Sequence, residues 1–280
     1  MANGGIIGPT QDPSFGSETV NTFTSSGTFS SGTFTSADVL VVGGGGAAKT
    51  PAGSMGGGGG GGYRYFPGHT ISASTDYPIT VGSGGSDNSA GGSSQFGGTP
   101  NPAPQRITSS GGGLAGGRHQ NGNPGGSGGG AGDGATGGPS RSGGSGNSGG
   151  YTPSEGNPGG SGTPSPQFEP AGGGGGAGAS GGNGGPPGAG APNTISGSDQ
   201  LYSKGGAGEG GDPYPPNAPP SQPGGIYGAG GNSTGIPSSP ADNKPYPGVV
   251  IVKTGAFSNA PGVWQLADVV EGRKAGTWGS

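Results

Sequence analysis

Apolar and polar positions are distributed unevenly along this chain, and strand-like patterns sit at its two ends. Thr19, Val20, Thr22, Phe23 and Phe29 supply the β-branched and aromatic residues that favour strands, and the theme repeats over 28–35 after a glycine turn. Residues 38–42 (Asp-Val-Leu-Val-Val) form a short continuous apolar run, which predicts a buried strand. A further strand is expected over 77–81, ending at Gly82, and the strongest strand signal is Gly-Val-Val-Ile-Val-Lys-Thr at 248–254. These segments can form a small β module whose first and last strands meet. Beyond it, Leu266, Val269 and Val270 follow i, i+3, i+4 spacing, which predicts a short helix stopped by Gly272 or Gly276 and flanked by Trp264 and Trp278.

The middle follows neither period. Glycine fills 80 of 280 positions, clustered in runs such as Gly43–Gly46, Gly56–Gly62, Gly111–Gly113 and Gly172–Gly176. Polar, proline-bearing connectors alternate with them at 63–80, 99–110, 118–124, 151–158, 163–170, 192–204, 212–223 and 232–247. Such runs cannot build a side-chain core, and glycine loses more freedom on ordering than any other residue. If ordered, their buried N–H and C=O groups must find partners on neighbouring chain. The expected solution is a bundle of polyglycine II helices, each extended and without internal hydrogen bonds. Collagen is excluded because glycine does not recur at every third position. The expected fold class is therefore mainly β and irregular, with a terminal β module bracketing a polyglycine II bundle, polar loops and a short C-terminal helix. Five segments follow: an attachment segment (1–18), the β module (19–42), the glycine region (43–247), a closing strand (248–258) and a helix with a tryptophan cap (259–280).

Composition narrows the function more by exclusion. With 10 basic and 14 acidic residues the net charge is only −4, and the scattered basic residues form no nucleic-acid patch. Cysteine is absent and only His69 and His119 are present, so no thiolate or histidine-rich metal site is expected. No phosphate-loop motif occurs, and the Val-Val-Gly-Gly-Gly-Gly stretch at 41–46 leads into no helix of a dinucleotide fold. Most of the acidic residues are expected on the solvated surface. No cofactor, no catalysis and no membrane span are expected. The N-terminus lacks the basic and apolar regions of a secretion signal.

Tyrosines offer large contact area at low entropic cost, and nearly all lie in or beside connectors. Tyr63, Tyr65, Phe66, His69, Arg118, His119, Tyr151, Tyr202 and Tyr214 are the candidate receptor contacts. Ile6, Ile7, Trp264, Leu266 and Trp278 are the candidates for docking to the particle or to sister subunits. The bland alternative is that the aromatics only plug gaps beneath the connectors.

The frame of the chain resembles glycine-rich phage proteins. The resemblance rests on Phe23-Thr-Ser-Ser-Gly-Thr-Phe, Ala37-Asp-Val-Leu-Val-Val-Gly-Gly-Gly-Gly, Gly-Gly-Tyr-Arg at 61–64, 80–85 and Gly-Val-Val-Ile-Val at 248–252. The ending, Pro261-Gly-Val-Trp-Gln-Leu-Ala-Asp-Val and Lys274-Ala-Gly-Thr-Trp, is similar to the C-termini of structural proteins of marine tailed phages. In arrangement alone, the middle resembles the polyglycine II adhesins at the tail-fibre tips of T-even-like phages. That resemblance implies a virion fibre or adhesin component that binds rather than catalyses. Its partners would be other virion proteins and a host cell-surface glycan or outer-membrane protein, with a homo-oligomer such as a trimer as the assembly. A purely structural capsid or tail fibre and a self-assembling extracellular filament are the alternatives.

Overall fold

The computed structural model describes residues 18–49, 55–86, 88–133, 139–163, 170–209, 227–233 and 244–255. Its regular elements are ten strands and one 3-10 turn over Ala103–Gln105. The strands are β1 (Thr19–Phe23), β2 (Gly27–Ser30), β3 (Ser36–Val42), β4 (Tyr63–Thr70) and β5 (Asp76–Thr80). They continue with β6 (Ser94–Phe96), β7 (Ile107–Ser109), β8 (Ala191–Asn193), β9 (Gln200–Tyr202) and β10 (Val249–Thr254).

Two four-stranded sheets, ordered β1-β10-β3-β4 and β2-β5-β6-β7, pair antiparallel throughout, and β8 and β9 form a separate hairpin. β1 and β10 pair in register from Thr19↔Thr254 to Phe23↔Val250, so the two ends of the described chain meet in one sheet. Between the sheets lies a core of Phe29, Val39, Val41, Ile71, Tyr77, Ile79, Phe96, Ile107, Val250 and Val252, joined by Ala37. The alternate residues Leu40, Val42, Val249 and Ile251 face the other way and pack against Ile195 and Tyr202 of the β8–β9 hairpin. Both faces of β3 and β10 are thus buried. That explains why these two segments read as unbroken apolar runs rather than as an alternation. Each fully buried Val, Leu or Ile contributes about 2 kcal/mol.

The polyglycine II bundle expected from the sequence is corrected here. Among the described residues the regular structure is antiparallel β-sheet, with no α-helix and no helix bundle, and the glycine runs carry no regular element of their own. The apolar residues, few as they are, suffice for a two-sheet core. Stretches read as connectors supply strands to it: 63–80 holds β4 and β5, 99–110 holds β7, and 192–204 holds most of the β8–β9 hairpin. The expected C-terminal helix and tryptophan cap lie outside the described residues, as does most of the attachment segment.

The glycine runs are buried, and their backbone is tied to distant segments. Over Gly56–Gly62, the N–H groups of Gly56, Gly59 and Gly62 donate to the carbonyls of Gly116, Gly113 and Ser110 at 2.7–3.1 Å. Those of Gly57 and Gly60 go to Gly172 and Gly175, and those of Gly58 and Gly61 to Gly231 and Gly228. Bonds to one neighbour thus recur every third residue, where a β ladder would repeat every second. The sandwich holds the ends of these runs in register. β3 passes directly into Gly43–Gly46 and Gly56–Gly62 directly into β4, so the Val42↔Tyr63 pair is followed by Gly43 donating to Gly62 at 2.9 Å and Gly46 to Gly59 at 2.8 Å. Ordering such runs costs about 1–2 kcal/mol per residue. Saturation of the buried backbone groups and the covalent anchor to a packed sandwich offset that cost.

Candidate functional site

β4 collects the richest set of candidate contacts. Alternation along it sends Tyr63 and Tyr65 to the outer face of their sheet, while Phe66 packs against the core between the sheets. The register with β3 slips between Ala37 and Val39. At that slip the Asp38 carboxylate accepts the Gly68 N–H at 2.8 Å, and Gly68 takes a φ of 60°, which a side chain would strain. Pro67 beside it removes a donor, which suits β4 to its place at the sheet edge.

His69 enters an aromatic slot, edge-on to Phe66 at 5.7 Å and to Phe96 at 6.0 Å. Its Nε2 is buried without a hydrogen-bond partner. Burial lowers its pKa below the ordinary histidine value, against a smaller raising effect from a bond to the Gln105 backbone. A histidine with a depressed folded pKa favours the native state fully above its unfolded pKa, about 6.5. That contribution is lost as pH falls from there through the folded value. Thermal midpoints should therefore drop on the acid side of neutrality, and His69→Leu should flatten that slope; an unchanged slope in the variant would assign the loss to other groups.

Arg64 lies on the opposite flank of β4 from the outer-face tyrosines. Its guanidinium sits 3.8 Å from the Tyr151 ring centre and 4.8 Å from that of Phe66, and it donates to the Thr108 carbonyl at 3.0 Å. Burial lowers its pKa, while Tyr151 and Glu155 act in the opposite sense. Tyr151 is presented by a loop that Asn147 clamps: its side-chain amide accepts from the Tyr151 N–H and donates to the Tyr151 carbonyl, both at 3.0 Å. Beneath the loop, Glu155 is 1% exposed. Its carboxylate accepts the N–H groups of Ser110 at 2.8 Å and Gly149 at 3.0 Å, and its backbone carbonyl accepts the Tyr63 N–H at 2.8 Å.

A second surface turn is anchored in the same way. Asp133, fully buried, accepts the His119 N–H at 3.1 Å and pairs with the Nε of Arg118 at 3.5 Å; the Arg118 side chain is 61% exposed. Most of the acidic residues were expected on the solvated surface; Asp133 and Glu155 are buried exceptions. Both accept backbone N–H groups in a body whose interior is mostly main chain and small side chains. The position of Asp133 inside a glycine run rather than a connector is the one trace of this in the sequence. Nothing local marks Glu155, Asn147 or Asn193.

The candidate contacts therefore do not form one surface. Tyr63 and Tyr65 share a face with Asn193, whose amide donates to the Tyr63 hydroxyl at 2.7 Å. Arg64, Phe66 and Tyr151 make a separate stack, and Arg118 and His119 a third patch. Tyr202 is fully buried, 6.3 Å from the Tyr63 ring, and serves the core rather than the surface. Tyr214 and the docking candidates Ile6, Ile7, Trp264, Leu266 and Trp278 lie outside the described residues. Among the described residues no helix is long and apolar enough to cross a membrane.

A β-sandwich continued by a backbone-bonded glycine body, with clamped polar turns at its surface, defines a glycine-rich scaffold. The model of the glycine-rich domain family matches residues 20–255, and the chain belongs to that family. No curated protein and no solved structure matches it.

Proposed function

We propose that this chain is a phage virion component, a fibre or adhesin subunit that presents surface turns to a host cell. One observation carries the reading. The body is packed so closely that most of its glycines admit no side chain, while the turns at 118–120 and 147–155 are each locked by a buried or clamping side chain. Side chains can thereby be exchanged in the turns but not in the glycine body, and the turns hold their shape without a partner. Preorganised contact surfaces lose less entropy on binding. The sequence resemblance to glycine-rich phage proteins supplies the biological setting.

The inward engagement of Tyr202 and the stacking of Tyr151 on Arg64 favour a second reading, a capsid or tail fibre with no receptor contact. Two measurements on the particle separate them. Antibody labelling should place the chain on a fibre or at its tip, and the purified chain in excess should reduce adsorption of intact particles about tenfold by occupying the receptor. A labelled fibre without competition would leave the structural reading; an unlabelled particle would remove both.

A further inference from the structure

We propose that the cleft between β4 and the β8–β9 hairpin is a saccharide site for neutral pyranose rings. The biological purpose of such a site rests on the host-attachment reading, but the ligand class follows from the cleft itself. It is an open recess of about 590 Å³ lined by Tyr63, Tyr65, Pro192, Asn193, Thr194 and Asp199. A pyranose presents an apolar C–H face and a rim of hydroxyls. It therefore calls for aromatic surface beside directional polar groups, in an open and shallow recess.

The cleft has both parts. Tyr63 and Tyr65 stand two residues apart on one face of β4, and Tyr65 is one of the few large hydrophobic side chains exposed among the described residues, at 36%. Opposite them, Asp199 and Thr194 are exposed at the hairpin end, where a carboxylate accepts from two neighbouring hydroxyls. Asn193 is fixed at both ends of its amide: Nδ2 donates to the Tyr63 hydroxyl at 2.7 Å and Oδ1 accepts the Ile195 N–H at 2.7 Å. Among the described residues, its second Nδ2 hydrogen and the Tyr63 hydroxyl proton remain to be donated. Asp38 is near enough to the Tyr65 hydroxyl to act on it electrostatically. A recess so prearranged spends little entropy on ordering its own side chains.

Charge selects the sugar. Among the described residues no basic residue lines the cleft, and Lys253, whose charge reaches Tyr65, is paired with Glu18 at 2.8 Å. Asp199 and Asp38 therefore repel sulfated, phosphorylated or uronic saccharides, and neutral ones remain.

Maltotetraose, cellotetraose and chitotetraose, titrated into the full chain and followed by saturation-transfer NMR, test this. At least one should bind with a Kd of about 1 mM. Tyr65→Ala should weaken that binding at least about tenfold and Asp199→Asn about threefold, with Tyr151→Ala unchanged. Thermal melts matching the parent would show that the variants fold. Absence of binding by all three sugars up to about 20 mM, or binding indifferent to both cleft variants, would overturn the proposal. Particles that need the chain for adsorption while the cleft binds none of the sugars would sink this inference alone. Sugar binding without any effect of the chain on adsorption would sink host attachment and leave the cleft standing.

Discussion

Gly58→Ala is expected to cost about 3 kcal/mol or more, enough to unfold a domain of ordinary stability in part or entirely. A Cβ at Gly58 would overlap the carbonyl of Gly46, well inside the 3.0 Å that real Cβ atoms respect. Nor can Gly46 withdraw freely. Its N–H is bonded to Gly59 at 2.8 Å and its carbonyl to the N–H of Gly231 at 3.0 Å. Gly58 itself donates to Gly231 and accepts from Gly206, so any shift is passed to three runs at once. Backbone has no alternative rotamer, which separates this case from an overpacked side-chain core. Gly98→Ala is the control: its nearest neighbour is the Pro78 side chain at 3.8 Å, and the change should lie within about 0.5 kcal/mol of the parent. Urea midpoints of the two variants read the difference. Equal midpoints would mean that close backbone approach is not what constrains these runs.

Glu155→Ala is the second large effect, expected to destabilise by about 3 kcal/mol. The substitution leaves the N–H groups of Ser110 and Gly149 without an acceptor in a buried setting and removes a negative charge that acts on the half-buried Arg64. Ser110 lies where β7 runs into Gly111–Gly113, so the loss falls on the joint between sandwich and glycine body. Glu155→Gln should recover only part, because the amide nitrogen offers a donor where one N–H needs an acceptor. Urea denaturation again measures the change, and hydrogen exchange at Ser110 and Gly149 localises it. Full protection of both amides in Glu155→Ala would show that the carboxylate is dispensable.

Strands with a strong local signal were legible. β1, β3, β5 and β10 carry β-branched and aromatic residues bounded by glycine, and their composition alone points to them. β4 was hidden because Pro67 and Gly68 interrupt Tyr-Arg-Tyr-Phe, and those residues suit an edge strand with a register slip that no single segment reveals. β6, β7, β8 and β9 are three residues each, too short for a periodicity to exist. Among site residues, Tyr63, Tyr65, Arg118 and Tyr151 could be singled out by type and neighbourhood. Their grouping could not, since Tyr151 meets Arg64 across 87 positions of chain and Asn193 meets Tyr63 across 130.

By itself the sequence determined that the glycine runs cannot be stabilised by side chains and that their buried main chain must find partners elsewhere. It also determined that the two longest apolar runs, 38–42 and 248–252, are strands. Which run bonds to which, that the regular structure is a two-sheet sandwich rather than a bundle, and that Asp133 and Glu155 point inward were decided only in three dimensions. The physical reason is that glycine carries no side chain to distinguish one run from another. Partner choice among them is set by where the sandwich strands release each run, and that is a property of the assembled fold.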